Sequence, residues 1–492
     1  MDPRLVFGIT AGYFSLLLLV SFFTSKSASN VTFFTGNRRS PWFVVAFGMI
    51  GASLSGVTFI SIPGEVGALI SPEEPDFKAF SYFQLVLGYL LGYFVIANVL
   101  MPLYYRLNLV SIYTYLDQRF GLRTYKTGSL FFILSQTMGA SLRLFLVAGV
   151  LQIGFFDSFG IPFGITVLVT IVLIWIYTFR AGIKTIVWTD TLQTFFMLLA
   201  VVISIFIIAG ELDLTGKEIV RTIRNHPFSK VFFWDWQSSK YFFKQFFSGA
   251  FIAIVMTGLD QNMMQKNLTC RNIGEAKKNM YWFSLILVPA NLLFLSLGLM
   301  LYLYATQKGI PVPALSDDLY PVLALNYFSI FTGIVFLLGI IAAAFSSADS
   351  ALTALTTAFC VDFLNLGNTE EKRGKRIRFA VHVAFSTIMF LIIVVFRAIN
   401  NDSVITAVFT VAGYTYGPLL GLYTFGLFTR KKVNDKWVPV VAIISPVISY
   451  IINANSVNWF NGYRFGFELL IVNGLLTFLG LLLIRKRSSR DS

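Results

Sequence analysis

Charge is scarce in this sequence. Asp, Glu, Lys and Arg together make up 13% of 492 residues, about half the share of an ordinary soluble protein. There are two cysteines and two histidines. Cys270 and Cys360 form no CxxC pair and no cluster, which excludes a disulfide framework or a zinc site. Neither histidine lies near a Cys or Glu cluster and no HExxH occurs, so a membrane-embedded enzyme finds no metal set to work with. No P-loop motif is present, which argues against ATP-driven transport on this chain. No soluble domain interrupts the chain, and the longest loop, 211–241, is a mixed-charge segment. A signalling domain of the kind a sensor needs is therefore not expected.

Apolar surface is what the chain has in excess: 56% hydrophobic residues, 52 Phe among them, and a mean hydropathy of +0.73. A soluble core could not hide it, whereas lipid solvates it from outside. Thirteen stretches are long and apolar enough to cross a bilayer, at roughly 5–23, 42–70, 79–105, 127–156, 163–180, 185–210, 242–268, 279–306, 328–363, 378–398, 404–429, 437–453 and 465–484. They are numbered here as spans 0 to 12. The net charge of +14 sits in short clusters between these spans. That pattern is membrane topology and not a nucleic-acid face.

Basic residues accumulate on cytoplasmic loops. With the N-terminus outside, 26 of the 38 Lys and Arg fall on the cytoplasmic side, from Lys26, Arg38 and Arg39, through Arg180, Lys266 and Lys372, to Arg487 and Arg490. An odd span count then puts the C-terminus in the cytoplasm. The alternative for span 0 is a cleaved signal peptide. Its apolar run is too long for one, and cleavage would leave Arg38 and Arg39 on the wrong side.

Two spans carry the marks of broken helices. Span 1 reads FGMIGASLSGVTFISIPG, dense in Gly, Ser and Thr, and span 6 reads FFSGAFIAIVMTGLDQNMMQ with Gly249 and Gly258 near its middle. Such residues weaken a helix, and unwound backbone is tolerated in a membrane only where it is buried or lines a cavity. Paired breaks in two halves point to a transporter binding site at the repeat interface. Small-residue helix packing explains either span alone, but the pair less well. Inverted repeats with a midplane site also favour alternating access over a channel.

Span 8 is the other polar segment, with Ser346, Ser347, Asp349, Ser350, Thr353, Thr356 and Thr357. Ser346 and Ser347 share a side with the carbonyl of Ala343. Two hydroxyls, that carbonyl and two more from an unwound segment would make a five-oxygen nest for a hard cation. Ionisable residues inside spans are costly without a partner. They are Asp190, Asp260, Arg143, Asp349 and His382, the last read as structural.

The stretches PLYYRLNLVSIYTYLDQRFG (102–121), AGIKTIVWTDTLQ (181–193), GLDQNMMQK (258–266), AAAFSSADSALTALTTAFCVDF (342–363) and GPLLGLYTFGLF (417–428) resemble the sodium/solute symporter family. The resemblance implies an all-α LeuT-type fold, with repeats at 42–210 and 242–429, an extra N-terminal helix at 5–23 and two C-terminal helices over 437–484. It implies sodium-coupled symport of a small solute across the plasma membrane, with Na+ as coupling ion and no obligate protein partner. The family's sodium site maps to Gly51, Leu54, Ala343, Ser346 and Ser347. A second cation, sodium or a proton, would use Asp190 and Ser350 beside the paired serines, with Asp349 standing where the two-sodium sialic acid carriers have a hydroxyl. The nearest local similarity is to that branch. Its substrate pattern maps to Ser53, Ser55 and Thr58, then Phe80 and Gln84, then Arg143, whose planar fork suits a carboxylate. Ala253, Met256 and Thr257 stand where polar sugar contacts often occur, so another small carboxylate, or a sugar, polyol or vitamin, remains open as the solute.

Overall fold

The computed structural model describes residues 3–24, 38, 40–71, 74–109, 111–178, 183–366, 371–399 and 403–486. Lys26, Arg39, Arg180, Arg487 and Arg490 lie outside them, as do the side chains of Lys184 and Lys372. Among the described residues, six straight helices are long and apolar enough to span a membrane, three further spans are bent pairs, and four shorter helices are apolar. Together these coincide with the thirteen expected stretches. Span 0 is Pro3–Thr24, span 2 Ala79–Arg106, span 3 Leu122–Phe159, span 5 Ile183–Glu211, span 8 Ile330–Phe363 and span 12 Leu469–Leu483.

Glycine decides how closely the spans approach. Gly88 and Gly92 in span 2 form a GxxxG face against span 6. A Cβ at Gly88 would stand 1.9 Å from the Phe246 carbonyl, and one at Gly249 would stand 2.0 Å from that of Leu85. Small residues let membrane helices pack backbone to backbone, where van der Waals contact must replace the missing hydrophobic drive. Span 1 leans on span 5 in the same way, since a Cβ at Gly51 would meet Thr194 Oγ1 at 2.0 Å.

Spans 1 and 6 are broken as expected, at Trp42–Ser53 with Gly56–Glu65 and at Phe242–Gly258 with Gln261–Asn267, bending by 53° and 69°. Span 10, read from the sequence as one helix, is broken too, bending by 46° between Val404–Thr415 and Gly417–Phe428. Pro418 is the cause. It has no N–H for the Tyr414 carbonyl. Asn473 of span 12 supplies the missing donor, its Nδ2 bonding the carbonyls of Gly413 at 3.0 Å and Tyr414 at 2.9 Å. A helix break inside a membrane survives only when neighbours re-satisfy the freed groups in this way.

The loop after span 1 closes as a two-stranded hairpin, Leu69–Ser71 with Glu74–Phe77. The loop between spans 7 and 8 packs on the end of span 1, where a Cβ at Gly64 would lie 2.2 Å from the Ser316 carbonyl. Next to it, buried Asp317 accepts from the Val404 N–H at the start of span 10 at 2.7 Å. Burial and the neighbouring Glu65 and Asp318 push its carboxyl up to about 7, opposed by the Val404 bond.

Candidate functional site

The break in span 1 falls at Leu54, which leaves helical geometry at φ −81°, ψ 78°, and at extended Ser55. The break in span 6 follows a π-helical turn at Ile254–Gly258. Asp260 then starts the next helix as its N-cap, accepting from Met263 N at 3.1 Å. The orphaned carbonyls of Gly258 and Leu259 each take a 2.8 Å hydrogen bond, from the hydroxyls of Tyr104 and Tyr113. Gln261 Oε1 accepts from Ile112 N at 2.9 Å. The 102–121 stretch therefore has a physical role, since it supplies the donors that let span 6 unwind.

Between the two breaks lies a cavity of about 90 Å³. Ser53, Leu54, Ser55 and Thr58 reach it from span 1, Gln136 and Arg143 from span 3, and Ala253, Met256, Thr257 and Asp260 from span 6. Among the described residues the half-buried Arg143 guanidinium makes no hydrogen bond or ion pair. Asp260 and Tyr416 act on it only through longer-range electrostatics. Asp260 is instead held by the Tyr416 hydroxyl at 2.6 Å, which ties the break of span 6 to that of span 10. Gln136 Nε2 is buried and also lacks an acceptor. Residues 136 and 143 are two helical turns apart, so both donors leave the same face of span 3.

Phe80 and Gln84, expected in this site from the family pattern, do not line it. Phe80 is buried in the 3-10 turn before the helix proper, which begins at Tyr82. Gln84 points away from the cavity. Its Nε2 donates to the Lys240 carbonyl at 2.9 Å and its Oε1 accepts from Phe233 N at 3.2 Å, fastening the 226–241 segment to span 2. The face of span 2 that meets the cavity carries Tyr82, Tyr89 and Tyr93, spaced at seven and four residues. The pattern named the right helix and the wrong face, because it carries no information on where that helix starts.

On span 8, Ser347 Oγ donates to the Ala343 carbonyl at 3.2 Å, so these two oxygens of the expected nest are adjacent. Ser346 turns the other way, donating to Asp190 Oδ1 at 2.6 Å. Asp190 Oδ2 accepts from Lys266 Nζ, also at 2.6 Å, and both side chains are essentially inaccessible to solvent. Lys266, counted above as a cytoplasmic loop charge, is thus a buried counter-ion on the half-helix after the span 6 break. Of the residues assigned to the first sodium site, Leu54 lines the cavity, whereas Gly51 serves the contact with span 5. Asp349 and Ser350 are buried one turn further along span 8. His382 meets Thr356 through Nδ1 at 3.2 Å, a structural contact.

The sodium:solute symporter family profile matches residues 33–437. A sodium/sialic acid symporter of Aliivibrio fischeri is 24% identical over 475 residues, covering 93% of this chain and 89% of the relative. One of Proteus mirabilis is 24% identical over 90% of this chain and 88% of the relative. The substrate-bound outward-open structure of a Na+-coupled sialic acid symporter superposes with a TM-score of 0.80 at 20% identity, over 98% of this chain and 99% of that one. Shared architecture at that score, two broken helices facing one cavity and a profile match over most of the chain agree: this protein belongs to the sodium:solute symporter family, as a multi-pass LeuT-type membrane carrier that couples a solute to sodium and is not an enzyme.

Proposed function

We propose that the solute is a small carboxylate, sialic acid or another small organic acid, carried with sodium into the cell by alternating access between the 42–210 and 242–429 halves. The observation that carries this is the unpartnered Arg143 guanidinium in the cavity between the breaks. An ionised group within a span is retained only where a partner offsets its desolvation. A guanidinium offers a planar fork for which carboxylate is the matching acceptor. Gln136 provides a second donor on the same face, Ser53, Ser55 and Thr58 provide hydroxyls, and Ile252, Ala253 and Met256 leave room for an apolar flank. Two relatives named for sialic acid support the carboxylate class.

Sodium would bind between the span 1 break and span 8, at the carbonyls of Gly51, Leu54 and Ala343 with the Ser346 and Ser347 hydroxyls. The charge bias places the N-terminus outside, and a single chain holds every group invoked. The test is uptake into proteoliposomes under an imposed sodium gradient, with labelled sialic acid and a set of short organic acids. Sodium-dependent uptake of a carboxylate that disappears in Arg143→Gln is the expected result. Uptake of a neutral sugar or polyol that survives Arg143→Gln would overturn the reading.

A further inference from the structure

The deepest unsatisfied polar cluster among the described residues lies outside the solute cavity, where span 0 crosses spans 5 and 8. Tyr13 Oη, both polar atoms of the Gln193 side chain and Ser350 Oγ are buried without a hydrogen-bond partner. Their residues are 4%, 1% and 2% exposed. Tyr13 interacts with Gln193, Asp349 and Asp190. Asp349 is fully buried. Buried polar atoms without partners are rare in native proteins, and several in one place point to a missing water or ion.

The helical spacing explains why these groups converge. Asp349 follows Phe345 by one turn, and Phe345 packs edge-on against Phe14 of span 0 at 4.7 Å between ring centroids. Ser350 follows Ser346 by one turn, and Ser346 faces Asp190 of span 5. Gln193 precedes Phe196 by three residues, and Phe196 meets the Tyr13 ring at 6.1 Å. Residues three and four apart share a helix face. Each polar group therefore looks into the seam that its aromatic or serine neighbour closes.

We propose that this seam is a second sodium site, formed by Tyr13 Oη, the Gln193 amide oxygen, Ser350 Oγ and the Asp349 carboxylate. The donors are all oxygen, which suits a hard cation and not a transition metal. One carboxylate matches a monovalent ion. Asp190, the acid expected to hold a second cation, is already occupied by the Lys266 ammonium and the Ser346 hydroxyl. A lysine thus fills the cation seat on Asp190, and the second sodium is displaced by one helical turn towards span 0. The N-terminal helix, which stands outside both repeats, then becomes part of the ion-binding apparatus. This deepens the symport reading and rests on the chain's sodium coupling, not on the identity of the solute.

The test is equilibrium binding of radioactive 22Na+ to the purified full-length protein, without solute. Wild type is expected to bind two sodium ions per chain, and Asp349→Asn one. Tyr13→Phe and Ser350→Ala each remove one hydroxyl and little volume, so folding is preserved. Each should raise the sodium concentration that half-fills one of the two sites by about tenfold and leave the other unchanged. Ser347→Ala should affect the other site. If Ser347→Ala binds normally while Tyr13→Phe does not, the first-site assignment fails and this proposal stands. A wild type that binds a single sodium overturns it. So do Tyr13→Phe and Ser350→Ala variants that both bind two ions with wild-type affinity.

Discussion

Two ionic centres are buried in this carrier, and they differ in how their charges are met. Asp190 is saturated: Lys266 bonds one oxygen and Ser346 the other, each at 2.6 Å. Arg143 has neither hydrogen bond nor ion pair among the described residues and faces a cavity. A charge satisfied by protein holds the structure in one arrangement. A charge left unsatisfied is a binding site in waiting, because only a ligand from outside can offset its desolvation. Identity of the residue does not separate the two cases; the partners do.

The sharpest way to break that comparison is to remove the partner at the saturated centre. Lys266→Met leaves Asp190 buried and uncompensated, a change that costs about 3–5 kcal/mol in buried pairs. We expect a large fall in thermal stability, part of which returns with rising sodium as the ion takes the vacated place on Asp190. A variant as stable as wild type in sodium-free buffer would show that the pair is not the counter-ion arrangement described. At the unsatisfied centre the effect should be on transport and not on folding. Arg143→Gln should reduce solute uptake by the equivalent of about 2–5 kcal/mol, roughly 30-fold to several thousandfold. Its melting temperature without solute should match wild type. A destabilised Arg143→Gln would place the arginine with Asp190 among the structural charges.

The same distinction extends to neutral groups. Asn473 satisfies the carbonyls freed at Pro418, so Asn473→Leu should destabilise the protein by about 1–3 kcal/mol, read as a lowered melting temperature. Pro418→Ala in that background should recover part of it by restoring the N–H.

Asp317 tests the contrast at a titratable group outside the spans. Its carboxyl is raised to about 7 by burial, with Glu65 and Asp318 adding to the rise. Glu65 is itself paired with Lys78, and Arg397 of span 9 attracts Asp318. A carboxyl raised on burial favours the closed arrangement when protonated. That stability is full below the ordinary carboxylate value near 4 and is lost as pH rises through about 7. Between pH 6 and 8 the loss should be about 1.4 kcal/mol, seen as a melting temperature that falls over this interval. Asp317→Asn should flatten the profile, and an unchanged slope would show that the carboxyl titrates elsewhere. The smallest effect expected is at the first sodium site. Ser347→Ala removes one of five oxygens and should raise the sodium needed for half-maximal uptake by about fivefold, corresponding to about 1 kcal/mol.

Some of this architecture was legible before any coordinates. Thirteen apolar runs, the breaks at Leu54–Ser55 and Gly258–Asp260, and the polar face of span 8 all follow from composition and helical spacing. Those are local properties, and a bilayer enforces them strongly because it punishes every unpaired backbone group. Ser53, Ser55, Thr58 and Arg143 were named in advance for the same reason: polar groups inside an apolar run have few places to go.

The chain alone thus determined that it spans a membrane, where its helices break and which side chains are too polar for lipid. Only the tertiary structure decided the partners. It placed Lys266 on Asp190 across 76 residues, assigned Gln84 to a loop in place of the cavity, broke span 10 against Asn473, and brought Tyr13 to Asp349. Each depends on the register and rotation of one helix against another. A change of one residue in that register turns a side chain by about 100°, enough to exchange a ligand for a structural contact, and no periodicity within a single helix records it.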